Sequence, residues 1–201
     1  MKVMIYSFII FLLFCGNNFS ASLPDSLSNL PEFRNISWDS SPEKIKDNES
    51  SFFLQKFTGF GVETLSYKDK IFGINSRIDY TFKNNKLTEG AFIIKPGDSF
   101  KDDLLHLLKY LRNQFGKPEY RSGPLYNSDK IWIKENDYGS YFGPSYYWIF
   151  KDGFIALLSQ KFEDDITISV LFAHNSSIGK YAENNGVELD EFEFSPAGNL
   201  P

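Results

Sequence analysis

One short pattern occurs twice in this chain of 201 residues, and it constrains the fold more than any single residue does. In residues 78–87 and again in residues 147–155, an aromatic-rich run ends in Phe-Lys, passes through two polar or small residues, and continues as a second apolar run. The turn is Asn-Asn at 84–85 and Asp-Gly at 152–153, and such pairs are typical of two-residue hairpin turns. Because an internal repeat indicates a repeated structural unit, the protein is expected to contain two related β-rich units.

A helix is predicted upstream of each copy. Ser41 is a typical N-cap residue and Pro42 suits the first helical position, so a short helix is expected to run to about residue 47. A longer helix is predicted from Ser99, which opens a capping-box-like sequence, to Phe115, and Gly116 then ends it. Its apolar residues recur at helical spacing and form one face: Leu104, Leu107, Leu108, Leu111 and Phe115.

The remaining apolar residues alternate with polar ones, as expected for half-buried antiparallel strands. Strands are predicted within residues 64–95 and at about 146–151, 153–162 and 166–173. The fold class is therefore α+β, with two αβββ units that form antiparallel sheet packed by helices. The predicted divisions are a signal peptide at 1–22, an extended leader at 23–36, a first unit at 37–97, a second unit at 98–174 and an acidic tail at 175–201.

The N-terminus has the layout of a bacterial secretory signal peptide. Lys2 provides the positive charge, residues 3–14 form an apolar run too short to span a membrane, and small residues follow at 20–22. The single cysteine, Cys15, lies at the end of this run. It is expected to be removed with the signal peptide, or alternatively to carry the lipid of an envelope lipoprotein. The protein is thus predicted to be exported to the periplasm or the extracellular space, or to be anchored to a membrane through Cys15.

Charge and residue counts exclude several classes of function. The net charge is −5 and there is no basic run, so nucleic acid is not an expected partner. The sequence has two histidines, and Cys15 is the only cysteine, so no metal site or other cofactor is predicted. A membrane is an expected partner only if Cys15 is acylated.

The acidic residues do not form a recognisable catalytic pattern. The pair at 102–103 belongs to the first turn of the long helix, where the helix dipole favours carboxylates, and the pair at 164–165 suits a turn. No catalytic residue is predicted. A secreted hydrolase that uses paired carboxylates remains an alternative, which requires two acids to converge in one pocket.

Two local sequences resemble those of known families of αβββ modules. Residues 38–43, Trp-Asp-Ser-Ser-Pro-Glu, resemble a Trp-Gly-x-Ser/Thr helix start, and residues 115–118, Phe-Gly-Lys-Pro, resemble a Leu-Gly-x-Pro helix end. With the order of elements, they are similar to the tandem modules of the β-lactamase-inhibitor-protein type and to small outer-membrane lipoproteins of the SmpA/OmlA kind. The resemblance implies an antiparallel sheet flanked by helices, in proteins that bind other proteins and carry no catalytic residue.

A Tyr/Gly/Ser-rich stretch at 136–145 is the predicted recognition loop. Tyrosine combines large contact area with few rotatable bonds, and it is enriched in binding loops. The residues predicted to contact a protein partner are Tyr138, Tyr141, Phe142, Tyr146 and Trp148. The alternative is that these aromatic side chains cover the core. The functional prediction is an exported, non-enzymatic protein-binding or inhibitor-like protein, with a structural or assembly role as a lipoprotein as the second possibility.

Overall fold

The computed structural model describes residues 28–71, 73–122, 132–134 and 140–175, together with the backbone of residues 195–196. The predicted signal peptide, Cys15, Tyr138 and most of the acidic tail lie outside the described residues. The helices are α1 (Pro42–Asn48) and α2 (Phe100–Phe115). The strands are β1 (Phe52–Gly59), β2 (Val62–Ile71), β3 (Ile74–Lys83), β4 (Lys86–Ile94), β5 (Tyr120–Ser122), β6 (Ile133–Lys134), β7 (Ser140–Phe142), β8 (Ser145–Phe150), β9 (Gly153–Phe162), β10 (Asp165–His174) and β11 (Ser195–Pro196).

Both predicted helices are confirmed, with the expected caps. The hydroxyl of Ser41 accepts a hydrogen bond from a backbone N–H in the first turn of α1, and Ser99 does the same for α2. Gly116 ends α2 with a positive φ of 81°, which a residue with a side group rarely adopts. The four predicted leucines of α2 are buried, whereas Phe115 packs against the core from a partly buried position.

The described strands form one antiparallel sheet in the order β1-β2-β3-β4-β10-β9-β8-β5-β11. Strand β7 also pairs with β9, beyond the end of β8, and β6 pairs with β7. Strand β1 lies at one end of this order and has a paired neighbour, β2, on one side. The sheet with its two helices confirms the α+β class.

The sheet buries apolar side chains on both faces. The first face is covered by α1, by α2 and by the segment that precedes α1, which includes Leu30 and Phe33. This face contributes residues such as Tyr80, Trp148 and Leu157 to the larger core cluster. The second face carries a smaller cluster made of strand residues, including Ala91, Ala156 and Leu171. Neighbouring residues of a strand point to opposite faces, and both faces are buried here. Strands β9 and β10 are therefore apolar along most of their length.

Residues 28–36, part of the predicted extended leader, belong to the core. Phe33 is 1% exposed, and its ring centroid lies 4.8 Å from that of Phe92 and 5.3 Å from that of Phe172. It fits over Gly90 of β4, where a Cβ atom, if this residue had one, would meet the ring of Phe33 at 2.2 Å. The leader therefore packs along the first face, and Gly90 provides the space for it.

Both repeated patterns form hairpin turns, but at different places in the order of strands, and the second turn is Lys151-Asp152, one residue before the predicted Asp-Gly pair at 152–153. The first joins β3 to β4, and Asn84 and Asn85 adopt the positive φ values that a two-residue hairpin turn requires. The second joins β8 to β9, and a further strand, β10, follows it. The first turn thus joins the second and third of the strands β2–β4, whereas the second turn joins the first and second of the strands β8–β10. The two-unit arrangement stays a prediction.

Strand β1 was not expected from the sequence. In residues 48–60 the apolar residues follow neither a helical nor an alternating period. A β-bulge between Phe53 and Gln55 explains part of this, because one extra residue changes the face to which the following side chains point.

Candidate functional site

The predicted recognition residues are mostly buried. Tyr146 is 0% exposed and Trp148 is 1% exposed, and the indole N–H of Trp148 donates a hydrogen bond to the carbonyl of Gly116 at 2.9 Å. Phe142 packs into the cluster on the second face, and Tyr141 is partly exposed on β7. In this fold the rings of Tyr146 and Trp148 hold the core and are not available to a partner, so their prediction as surface anchors is corrected.

The larger exposed apolar surface lies instead at the start of β1. Phe52 is 73% exposed, Phe53 47% and Leu54 43%, and we call these three consecutive residues the β1 patch. Phe53 is oriented by an edge-to-face contact with Tyr67, with ring centroids 5.4 Å apart. Large apolar side chains that are exposed to water cost free energy, so three of them at consecutive positions of an end strand indicate a contact surface.

The shape of β1 does not favour continuous pairing with another strand. The bulge at Leu54 twists the edge, and Lys56, whose amine contacts the Glu63 carboxylate at 2.6 Å, follows on the same strand. Bulges and edge lysines are features that natural sheets use against strand-to-strand association. The β1 patch is therefore suited to contact through its side chains rather than through its backbone.

A polar network joins the leader, α1 and β2 beside this patch. Nη2 of Arg34 lies 3.2 Å from Oε1 of Glu49 and 3.1 Å from Oδ2 of Asp69. Ser51 links the same carboxylates, since its amide donates to Glu49 at 2.9 Å and its hydroxyl donates to Asp69 at 2.8 Å. The hydroxyl of Tyr80, on β3, donates to Oε2 of Glu49. No local signal in the sequence indicates this network, because its members are up to 46 positions apart.

The network holds both carboxylates ionised. Burial acts to raise the pKa of Glu49, but the hydrogen bonds from Tyr80 and Ser51 and the charge of Arg34 outweigh it and lower that pKa. The pKa of Asp69 is lowered by the backbone N–H of Lys70 and by the hydroxyl of Ser51. Burial, and then the hydrogen bond to Glu49, raise the pKa of Tyr80.

A cleft of about 290 Å³ opens next to the network. Its walls come from the leader, from α1 and from the two residues that follow α1: Arg34, Asn35, Ile36, Lys44, Asn48, Glu49 and Ser50. Arg34 and Asn35 form the tip of a tight turn, with φ values of 53° and 60°. One residue, Ser51, separates the cleft from the β1 patch in sequence.

Glu49 and Asp69 lie close together, as the hydrolase alternative requires, but neither carboxyl group is suited to act as a general acid. A general acid needs a carboxyl group that keeps its proton near neutral pH, and the pKa of both groups is lowered. The described acids whose pKa is raised, Glu89 and Glu119, lie on other elements. Among the described residues no group of three or more His, Cys, Asp or Glu side chains is placed to hold a metal ion.

The two histidines differ in their surroundings. His106 is exposed on α2. His174 stacks on Trp38, with ring centroids 5.1 Å apart, and its Nε2 lies 3.4 Å from Oδ2 of Asp152. Oδ1 of Asp152 accepts the backbone N–H of Leu30 at 2.5 Å. Through these contacts Asp152 connects the leader to the second hairpin turn, which supports a structural role for His174 and Asp152.

Comparison with known proteins returned no family model, curated protein or solved structure that matches this sequence. No helix in the described part of the protein is long and apolar enough to cross a membrane. The resemblance to inhibitor-type and lipoprotein αβββ modules therefore stays a prediction.

Proposed function

We propose that this protein is an exported, non-enzymatic binding protein that contacts a protein partner through the β1 patch. The observation that carries the proposal is the exposure of Phe52, Phe53 and Leu54 in a protein that buries most of its described aromatic residues on the two faces of the sheet. Binding surfaces typically combine such an apolar centre with a polar rim, and the cleft residues Lys44, Asn48 and Ser50 provide one here. The expected partner presents an apolar surface of its own.

Site-specific photo-cross-linking tests this proposal. A photoreactive phenylalanine analogue replaces Phe52 in the exported protein, and irradiation follows in the native envelope and growth medium. Phe60 provides a matched control because it is 70% exposed, close to the value for Phe52, at the opposite end of β1. The eight residue steps from position 52 to position 60 correspond to about 26 Å of extended chain, so the two probes sample different surfaces.

The expected result is a discrete cross-linked product from position 52 that is absent from position 60. The variant Phe53→Ser, which removes the neighbouring apolar contact, should reduce that product. Equal products from both positions, or none from position 52, would remove the β1 patch from the proposal.

The duplicated architecture forms part of the same proposal. Helix α1 is followed, after β1, by the strands β2–β4, and helix α2 is followed, after β5–β7, by the strands β8–β10. The sheet order β2-β3-β4-β10-β9-β8 is symmetric about the β4–β10 pair. We propose that the protein arose from two αβββ units related by a pseudo-twofold axis there. Superposition of the two units tests this: they should match after a rotation of about 180°, and failure to superpose would contradict the duplication.

Anchoring through Cys15 is a separate proposal, and mass spectrometry of the mature N-terminus decides it. An acylated Cys15 supports an envelope lipoprotein. A mature protein that starts after residue 22 contradicts it and favours simple export.

A further inference from the structure

Two exposed lysines of β2 lie beside the β1 patch. Phe52 is the cross-strand partner of Lys68, so their side chains lie on the same face of the sheet, and Lys70 follows on that face two residues later. Neither lysine forms an ion pair with a residue that the structure describes. Arg77, the next residue across the sheet from Lys68, is paired with Asp79 at 2.8 Å, so this pair adds no net charge.

The polar network does not cancel the charge of these lysines. Asp69 lies between Lys68 and Lys70 on β2, so its side chain points to the opposite face. There one guanidinium, that of Arg34, faces the two carboxylates of Glu49 and Asp69, which leaves the network with a single net negative charge. The two unpaired lysines exceed it, so the surroundings of the β1 patch are positive in a protein whose net charge is −5. An occupant with both apolar and acidic side chains complements this surface.

One segment of the chain has this composition. Residues 187–194, Val-Glu-Leu-Asp-Glu-Phe-Glu-Phe, contain four apolar and four acidic side chains and no basic one. The segment lies outside the described residues, but strand β11 follows it directly at Ser195–Pro196. Because β11 pairs with β5, the place from which the segment extends is known.

The segment is too short to follow the sheet to the β1 patch of its own chain. Strands β1 and β11 are the first and last in the sheet order, eight strand spacings apart, which corresponds to about 38 Å along the sheet. Residue 187 is eight residues from residue 195, and eight residues of extended chain span about 26 Å. A second copy removes this limit, because its β1 edge is free to approach the β5 end of the first.

We propose that residues 187–194 of one copy bind to the β1 patch of a second copy. The apolar side chains of the segment contact the patch, and its carboxylates lie beside Lys68 and Lys70. The contact joins unlike ends of the sheet, so it is heterologous and adds copies head to tail. This inference rests on the proposed function, since it identifies the protein partner of the patch as another copy of the chain.

Sedimentation equilibrium of the exported protein tests this with two variants. Phe52→Ser alters the patch, and the double variant Phe192→Ser/Phe194→Ser alters the segment. Each variant alone should be monomeric at concentrations where the parent protein associates, because each lacks one side of the contact. An equimolar mixture should form a dimer, since the intact segment of the first variant meets the intact patch of the second. Association of either variant alone, a monomeric mixture, or a parent protein that is monomeric at about 1 mM would overturn the inference.

Lysine substitutions test the charge complementarity. Lys68→Gln combined with Lys70→Gln should weaken the association of the parent protein by about fivefold and reduce its sensitivity to salt, because two exposed ion pairs are lost. Lys101→Gln combined with Lys109→Gln makes the same change of charge at exposed positions of α2 and should leave the association unchanged. Equal effects of the two pairs would contradict the inference.

The photo-cross-link from position 52 separates this inference from the proposed function. A product with the mass of two copies, in which the linked peptide contains residues 187–194, supports both. A product with a different protein keeps the proposed function and overturns the binding of a second copy. The absence of any product from position 52 contradicts both.

Discussion

The contact between Phe33 and Gly90 gives a sharp test of how the leader belongs to the core. The two positions lie 57 residues apart, and the ring occupies the space that a larger residue at Gly90 would need. Three changes are compared with the parent protein: Gly90→Ala, Phe33→Ala and the double variant. The quantity measured is the free energy of unfolding.

Each single change should destabilise the protein, for different reasons. In Gly90→Ala the new carbon would meet Cγ and Cδ1 of Phe33 at 2.2 Å, well inside van der Waals contact, and overpacking of this kind costs about 1–3 kcal/mol. Phe33 is 1% exposed, and truncation of a buried phenylalanine to alanine costs about 3–5 kcal/mol.

The sign of the Gly90 effect should reverse in the double variant. Without the ring, alanine at this position meets no steric conflict with Phe33, and φ at Gly90 is not in the positive range that alanine avoids. Alanine in a strand interior is then favoured over glycine by about 0.5–1 kcal/mol. The double variant should therefore be more stable than Phe33→Ala alone, and the coupling energy should be about 2–3 kcal/mol.

Urea unfolding followed by the fluorescence of the three tryptophans measures these values. Phe52→Ala serves as the control, since truncation of an exposed residue should change stability by less than about 0.5 kcal/mol. Additive effects of the two substitutions, or a cost below about 1 kcal/mol for Phe33→Ala, would refute the packing of the leader onto β4.

Three further predictions concern polar groups that are buried or partly buried, and they are also measured by chemical denaturation. Burial raises the pKa of Glu89 from 4.5 to about 7, so the folded protein favours the protonated carboxyl group. The free energy of unfolding should therefore fall by up to about 3 kcal/mol as the pH rises from about 4.5 through 7. Glu89→Gln should flatten this dependence, and an unchanged profile would contradict the prediction. Tyr80→Phe removes a hydrogen bond to Glu49. Because the pKa of Glu49 is lowered in the folded protein, ionised Glu49 contributes to stability above about pH 4.5, and this contribution is lost as the pH falls through the folded-state pKa. The variant should lose about 1–3 kcal/mol of stability at pH 7 and less at pH 3, and an equal loss at both values would argue against the network. Asp152→Ala leaves a backbone amide of the leader without its acceptor and should cost about 1–3 kcal/mol, whereas exposed Lys151→Ala should be neutral, and similar effects of the two would count against this anchor.

Local signals predicted much of the secondary structure. The cap residues Ser41 and Ser99, the Asn-Asn turn at 84–85 and the leucine spacing of α2 all act within a few positions along the backbone, and the structure has a helix or hairpin at each. Alternation of apolar residues likewise predicted the strands that the structure shows as β3 and β10. Residues 48–60 could not be assigned in this way because the bulge interrupts the alternation.

The candidate site could not be predicted from such signals. Arg34, Glu49, Asp69 and Tyr80 meet only because the leader crosses the sheet, and no spacing in the sequence records that contact. The aromatic composition of residues 136–148 favoured a binding loop, but a buried tryptophan and an exposed one have the same local sequence signal.

Local sequence thus specifies where helices, strands and hairpin turns form, since caps, turn residues and periodicity act between near neighbours. Which aromatic residues are covered depends on the tertiary fold: Trp148 lies in the core cluster that also contains residues of α2 and the leader, whereas Phe52 lies on an end strand with one described neighbour. The physical reason is that burial depends on contacts between residues far apart in sequence. The surface available to a partner is what those contacts leave uncovered.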